Sequence, residues 1–317
     1  MKKIIIAEEE VGKRLDLLLT EKLPSETRNK LQKLVKQGSI TLNGKTVTPH
    51  LKTKLGDIIE INSLELKITN PKTITEDKNL PKIKIIEENP EYLIFNKPAG
   101  LTVHGTKFVK GKTLVDVLLK DYPELKKIGE DPDRPGIVHR LDSDVSGLMV
   151  IPRTQDSFDN LKKQFQKRTV KKRYTGLCYG TIIKKEDEIN FPIARSLEGY
   201  RMAALPMTVK GLPNPNGKKA ITFFHITKRF LNYTLLEIKI KTGRTHQIRV
   251  HMAAYGNPLV GDDLYGTRRH RERNEKLKLG RVFLASCELE FTNLAGERKN
   301  YKIDLPKQLE EILNRIK

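Results

Sequence analysis

The segment Arg134-Pro135-Gly136-Ile137-Val138-His139-Arg140-Leu141-Asp142-Ser143-Asp144 sets a carboxylate behind a cationic loop and ahead of Ser146-Gly147 and an apolar run. A carboxylate so placed can act as a nucleophile or general base. The run Leu148-Met149-Val150-Ile151 predicts a buried strand, and the Pro, Gly, Ser and Asp residues before it predict a loop. Asp142 therefore stands near a strand end, where chemistry commonly resides. Taken alone, such an Asp would cap a turn and pair with Arg140. Two further constellations ask for more. Lys171-Lys172-Arg173-Tyr174-Thr175-Gly176-Leu177 sets Tyr174 in a predicted strand amid cations, by itself a core tyrosine with a basic solvent edge. In Lys241-Thr242-Gly243-Arg244-Thr245-His246-Gln247-Ile248-Arg249-Val250-His251-Met252 a strand breaks at Gly243 and a helix begins near Thr245, so amides and polar side chains converge. Ile248, Met252 and Tyr255 would face the core, leaving Arg249 at the margin of the buried face. An arginine there needs a carboxylate or phosphate partner.

The elements around these residues are those of a basic, two-part chain. In 317 residues the formal net charge is +21, with Lys and Arg spread from end to end, and the pI is about 9.8. That balance favours a polyanion such as nucleic acid; the blander reading is a Lys-rich surface serving solubility. A membrane partner would want a basic amphipathic helix with bulky apolar residues opposite, and no segment is long enough to span a bilayer. The start, Met1-Lys2-Lys3-Ile4-Ile5-Ile6-Ala7, is too short in apolar length for a signal peptide. Cys178 and Cys287 are far apart and flanked by apolar residues, as suits core thiols in the reducing cytoplasm.

From Val11 to Ile61, Leu15, Leu18 and Leu19 mark one amphipathic helix, and Leu31, Leu34 and Val35 a second that ends at Gly38. Ile40-Thr41-Leu42, Asn43-Gly44 and Lys45-Thr46-Val47 read as a hairpin, with a further short strand at Ile58–Ile61. The second helix carries Arg28, Lys30, Lys33 and Lys36, a cationic set that could grip a phosphate backbone. We expect a module over 11–62, a polar linker over 63–80 and a second domain over 81–317. The second domain reads as α+β with a mixed or antiparallel sheet, including a helix from Thr154 to Arg168 and a strand from Tyr233 to Lys241.

The module resembles the S4 RNA-binding domain through Arg14-Leu15-Asp16, the helix Arg28 to Gly38, and Gly38-Ser39-Ile40-Thr41-Leu42-Asn43-Gly44. The remainder resembles the RluA family of pseudouridine synthases, which isomerise uridine in structured RNA. The resemblance runs through Asn96-Lys97-Pro98-Ala99-Gly100-Leu101-Thr102-Val103-His104, Gly136 to Asp142, the Tyr174 strand, Thr242 to Met252, and Pro258-Leu259-Val260-Gly261-Asp262. It implies an α+β pseudouridine synthase domain beside a small S4-like α/β module. Asp142 would be the catalytic carboxylate, Arg140 the side chain that helps displace the target base, Tyr174 its stacking partner, and Arg249 the cation pairing Asp142. Extruding a base costs a few kcal/mol, which an inserted cation and an aromatic can offset. The isomerisation implies no cofactor and no metal. Gly105-Thr106-Lys107 departs from the family's more apolar stretch, which leaves that loop's shape open. Leu284, in Val282-Phe283-Leu284-Ala285, is a candidate for packing on the base, although plain core is the simpler reading. The basic insert from Thr267 to Arg273 reads as an RNA-contact loop or as a disordered solvated turn.

Large-subunit ribosomal RNA is the expected substrate, tRNA the alternative, and a monomer the default. A non-catalytic RNA-binding or ribosome-assembly factor would have no need of Asp142, Tyr174 and Arg249 together. His139, Asp142, Asp144, His246 and His251 could be imagined as the ligands of a metal nuclease. Against that, the chain has no H-E-x-x-H or CxxC element, and His246 and His251 fall on different helix faces.

Overall fold

The computed structural model describes residues 2–26, 28–63, 83–105, 112–196, 198–199 and 201–316. The chain divides into two compact units, Met1–Glu76 with Gly129–Pro135, and Asp77–Ile128 with Gly136–Lys317. The linker expected over 63–80 lies, from residue 64 on, outside the described residues, as does the stretch from Thr106.

In the first unit, β1 (Lys2–Ile5), α1 (Leu15–Lys22), α2 (Arg28–Lys36), β2 (Ile40–Leu42) and β3 (Ile58–Ile61) build two helices on an antiparallel sheet of order β1-β3-β2. Leu15, Leu18, Leu19, Leu31, Leu34 and Val35 are buried in one cluster with Ile40 and Ile59, as the helical spacing requires. Asn43 and Gly44 both take positive φ, 51° and 72°, the mirror-image turn expected of them. The hairpin, however, stops at a single Leu42–Lys45 bridge, and β2 pairs with β3 instead. Only β3 offers Ile59 and Ile61 for burial beside Ile40. β1 pairs with β3 as well, so the sheet begins before Val11.

The cations of α2 are not all free. Arg28 and Arg14 both donate to the buried carboxylate of Asp16, which also accepts from Gln32. Burial alone would raise the Asp16 pKa, but the two guanidiniums hold it well below the usual carboxylate range. Lys30 pairs with Glu26.

The second unit contains β4 (Lys84–Glu88), β5 (Tyr92–Lys97), α3 (Leu114–Asp121), β6 (Ser146–Pro152), α4 (Gln155–Lys167), β7 (Lys171–Tyr179), β8 (Glu186–Ile189), β9 (Ile193–Arg195), β10 (Met202–Ala204), β11 (Thr222–Arg229), β12 (Tyr233–Ile240), α5 (Gln247–Ala254), α6 (Arg268–Leu277), β13 (Leu284–Thr292), β14 (Arg298–Lys302) and α7 (Lys307–Arg315). Its main sheet runs β4-β5-β6-β13-β7-β12-β11-β8, with β14 on β13; β6 and β13 are parallel and the other pairs antiparallel. The sheet is mixed and the class α+β. All seven residues of β6 are buried, because both faces of this strand are covered and a continuous apolar run suits such a place. Burying Leu148, Val150 or Ile151 contributes about 1.5–3 kcal/mol each. Between β6 and β13 only glycine fits at position 147, where a Cβ would stand 2.3 Å from the Ser286 carbonyl oxygen.

α4 starts at Thr154, whose hydroxyl accepts from Ser157 N, and buries Phe158 and Leu161. The basic insert is neither a loop nor a disordered turn. Thr267 caps α6, whose residues are mostly good helix formers and whose Arg268 and Glu272 pair one turn apart. No helix among the described residues is long and apolar enough to cross a membrane. Cys178 is buried and Cys287 half-buried, both as free thiols.

Candidate active site

Asp142 lies in the loop before β6, with its side chain 16% exposed. Its neighbour Ser143 anchors the loop: the Ser143 carbonyl accepts from Gly100 N at 2.8 Å and from the Lys97 ammonium at 3.0 Å. Lys97, at the end of β5, is fully buried and also donates to the carbonyls of Pro98 and Leu101. One ammonium thus ties two loops together through three carbonyl dipoles. Burial, and next the charge of Arg281, push its pKa down to about 7, against the pull of Asp142 and Asp144.

Arg249 comes from the first turns of α5. It is buried rather than marginal, at 5% exposure, and its main partner is Asp262, to which it donates at 2.7 and 2.9 Å. Nη1 stands 3.8 Å from Asp142 Oδ2, close enough for ion pairing but too long for a hydrogen bond. Burial opposes the charge, yet Asp262 and then Asp142 outweigh it and raise the pKa. Asp262 in turn accepts from the backbone of Leu264 and Tyr265, and the guanidinium lies 5.3 Å from the Tyr265 ring centroid.

The turn into α5 is locked by Gln247. Its carbonyl oxygen accepts from Thr242 Oγ1 and Arg244 N, and its amide donates to Ile221 O and Thr222 Oγ1. His251 bonds Thr222 and the Phe191 carbonyl through its two ring nitrogens, which anchors the helix a turn further on. His246, just before the helix, takes a left-handed conformation with φ 53° and bonds Tyr265 through Nδ1 at 2.9 Å. Burial lowers the His246 pKa, with Asp142 opposing.

Tyr174, on β7, is 4% exposed and packs in one core cluster with Leu141 and Val145 of the Asp142 loop. It is a wall rather than an open platform. Burial first, and the charge of Asp142 second, raise its hydroxyl pKa, so it stays protonated. Arg140 is exposed and its charge is felt at His246, as is that of Asp142. Leu284 is buried in the same cluster as Tyr174. Among the described residues no group of three or more His, Cys, Asp or Glu is arranged to hold a metal ion.

Asp142 and Arg249 therefore meet directly, while Tyr174 packs with the loop that carries Asp142. Asp262, Lys97 and Gln247 were not singled out from sequence, although each sits in a stretch that carried the family resemblance. Residues 91–254 match the RNA pseudouridylate synthase family, and residues 13–59 match the S4 domain. The chain belongs to the RNA pseudouridylate synthase family.

Relatives within this pseudouridine synthase family extend over nearly the whole chain. Ribosomal large subunit pseudouridine synthase D of Pasteurella multocida is 34% identical over 318 residues, spanning 97% of this chain and 92% of its own. An uncharacterized RNA pseudouridine synthase of Bacillus subtilis is 32% identical over 315 residues, spanning 99% and 97%. The solved structure of human RNA Pseudouridylate Synthase Domain Containing 1 shares the synthase fold, with a TM-score of 0.57 at 24% identity over 74% of this chain and 86% of its own.

Proposed function

We propose that this synthase converts particular uridines of large-subunit ribosomal RNA to pseudouridine, with Asp142 as the catalytic carboxylate. The observation that carries the reading is the approach of a partly exposed Asp142 to within 3.8 Å of a buried arginine that Asp262 already holds in place. The carboxylate is oriented by a cation yet left open to a substrate. The relatives named for the ribosomal large subunit, in Pasteurella multocida and Haemophilus influenzae, support the RNA class.

In the reaction the bond from ribose C1′ to uracil N1 breaks, the base turns, and C1′ joins C5, which gives up its proton to solvent while N1 takes one up. The product has the same atoms as the substrate. Arg140, exposed beside the site, fills the space the uridine leaves on displacement from its stack. The base enters against Tyr174, whose protonated hydroxyl adds no charge near Asp142. Arg249 holds Asp142 toward the sugar and base. The S4 module and the charge of +21 draw in and position the RNA backbone. The protein works as a monomer in the cytoplasm, where ribosomal RNA is assembled and free thiols persist.

The test is tritium release from ribosomal RNA and tRNA transcripts labelled at uridine C5, comparing wild type with Asp142→Asn. Release from the large-subunit transcript by wild type alone is expected. Release from tRNA alone would reassign the substrate. Tight binding without release from any transcript would favour an assembly factor.

A further inference from the structure

We propose that Lys172 binds a backbone phosphate of the substrate RNA next to the target uridine. The proposal rests on the reading of the Asp142 site as a pseudouridine synthase centre. It starts from three consecutive cations on β7. Successive side chains of a strand point to opposite faces. Lys171 and Arg173 share one face, and each has carboxylates: Glu290 lies 3.2 Å from Lys171, and Glu288 and Glu237 lie 3.2 and 3.4 Å from Arg173. Lys172 takes the opposite face, with Tyr174, and among the described residues no carboxylate or carbonyl bonds its ammonium.

What Lys172 does have is an aromatic ring. Its Nζ lies 5.5 Å from the centroid of Phe165 of α4, and His139 stacks on the same ring at 4.7 Å. His139 accepts the Val150 N–H through Nε2, and burial, with the charge of Lys172 second, lowers its pKa so that it stays neutral. The ring pair thus supports the ammonium without neutralising it. Burial lowers the pKa of Lys172 to about 8, so the amine is still mostly charged at pH 7. A half-buried cation without an anion is costly, and the carboxylates that answer its two neighbours lie on the other face. An anion that arrives only with the substrate resolves the imbalance.

The position selects the anion. Lys172 is two residues from Tyr174 on the same face, about 7 Å along the strand, and His139 is three residues ahead of Asp142. A Cβ on Gly243 would come within 3.9 Å of Nζ, so the ammonium also borders the turn that leads into Arg249. An RNA strand entering this site carries one phosphate per nucleotide, and lysine meets phosphate as a point charge.

The experiment compares wild type, Lys172→Met, Lys172→Gln and Lys172→Arg, as full chains, on a ribosomal RNA fragment containing the target uridine. Affinity is measured against salt, with KM, kcat and the thermal midpoint alongside. We expect Lys172→Met and Lys172→Gln to bind about tenfold more weakly at low salt, with the slope of log affinity against log salt reduced by about 0.7–0.9. KM rises more than kcat falls, the thermal midpoint is unchanged or higher, and Lys172→Arg recovers most of the affinity. Replacing a phosphate beside the target with a methylphosphonate should weaken wild type and leave Lys172→Met unaffected. A wild-type salt slope in both neutral variants overturns the proposal. So does a lowered midpoint with an unchanged slope, the mark of a cation that only props Phe165. Binding is read independently of turnover, so absence of tritium release in wild type would count against the synthase reading and leave the Lys172 comparison intact.

Discussion

Arg249 is forked onto Asp262, not onto Asp142. The two bonds of 2.7 and 2.9 Å hold the guanidinium in the buried interior and leave Nη1 3.8 Å from the candidate catalytic carboxylate. The same pair therefore serves stability and orientation, and the two can be separated. Arg249→Met strands the buried charge of Asp262 and should cost about 3–5 kcal/mol. Combining Arg249→Met with Asp262→Leu removes both charges and should recover most of that stability without recovering tritium release. Chemical denaturation and single-turnover assays on wild type and the two variants check this; an active double variant would exclude a catalytic role for Arg249.

Lys97 carries a different kind of prediction. Lys97→Met preserves most of the side-chain volume and strips three carbonyls, among them that of Ser143 beside Asp142, of a donor. The loop then loses its tie to the end of β5. We expect kcat to drop on the order of a hundredfold, since small misplacements of reacting groups are costly, while RNA affinity stays near wild type. Single-turnover rates and filter binding separate the two, and an equal loss in both would show a general collapse instead.

Gly147 tests the junction between β6 and β13. Its φ is +128°, and an added Cβ would meet both the oxygen and the nitrogen of the Ser286 backbone, at 2.3 and 2.5 Å. Gly147→Ala should cost about 3 kcal/mol or more from strain and overlap together. Gly105→Ala, with nothing within 4 Å of the new methyl, is the control and should change the unfolding midpoint little.

Two buried histidines, His139 and His251, and the partly buried His246 make the fold acid-sensitive. Burial lowers the pKa of His139, His246 and His251 below the ordinary value of 6.5. The unfolded chain therefore binds protons that the native state refuses once the pH falls below about 6.5, and their stabilisation, complete above that pH, is lost toward the lower native values. The thermal midpoint should fall between pH 7 and pH 5.5, ahead of the carboxylate range. His139→Gln should start lower at pH 7 and fall less over that interval.

Much of the architecture was legible because its signals are local. The cap at Thr154 and the spacing of Phe158 and Leu161 specify α4, and the apolar run from Leu148 to Ile151 specifies β6, within a few residues of sequence. The expected strand at Lys45–Val47 failed because Asn43-Gly44 dictates a turn but not the pairing of the residues beyond it; β3, further along the chain, supplied the better apolar surface for β2. The segment from Thr267 to Arg273 looked unstructured because its cations hide a helix whose burial depends on Asn274, which bonds Tyr179 and Gly261 from other elements.

The sequence by itself determined the chemistry on offer: an Asp at a strand end, a tyrosine on a basic strand, and an arginine on a helix after a broken strand, in an order that resembles one enzyme family. Only the tertiary structure decided that Asp262, 13 residues beyond Arg249, is that arginine's main partner. It alone decided that Lys97 reaches Ser143 across 46 residues, and that Lys172 meets no carboxylate among the described residues while its neighbours have theirs. Helix and strand signals repeat within a few residues, whereas the pairing of buried charges depends on which loops the packed core brings together.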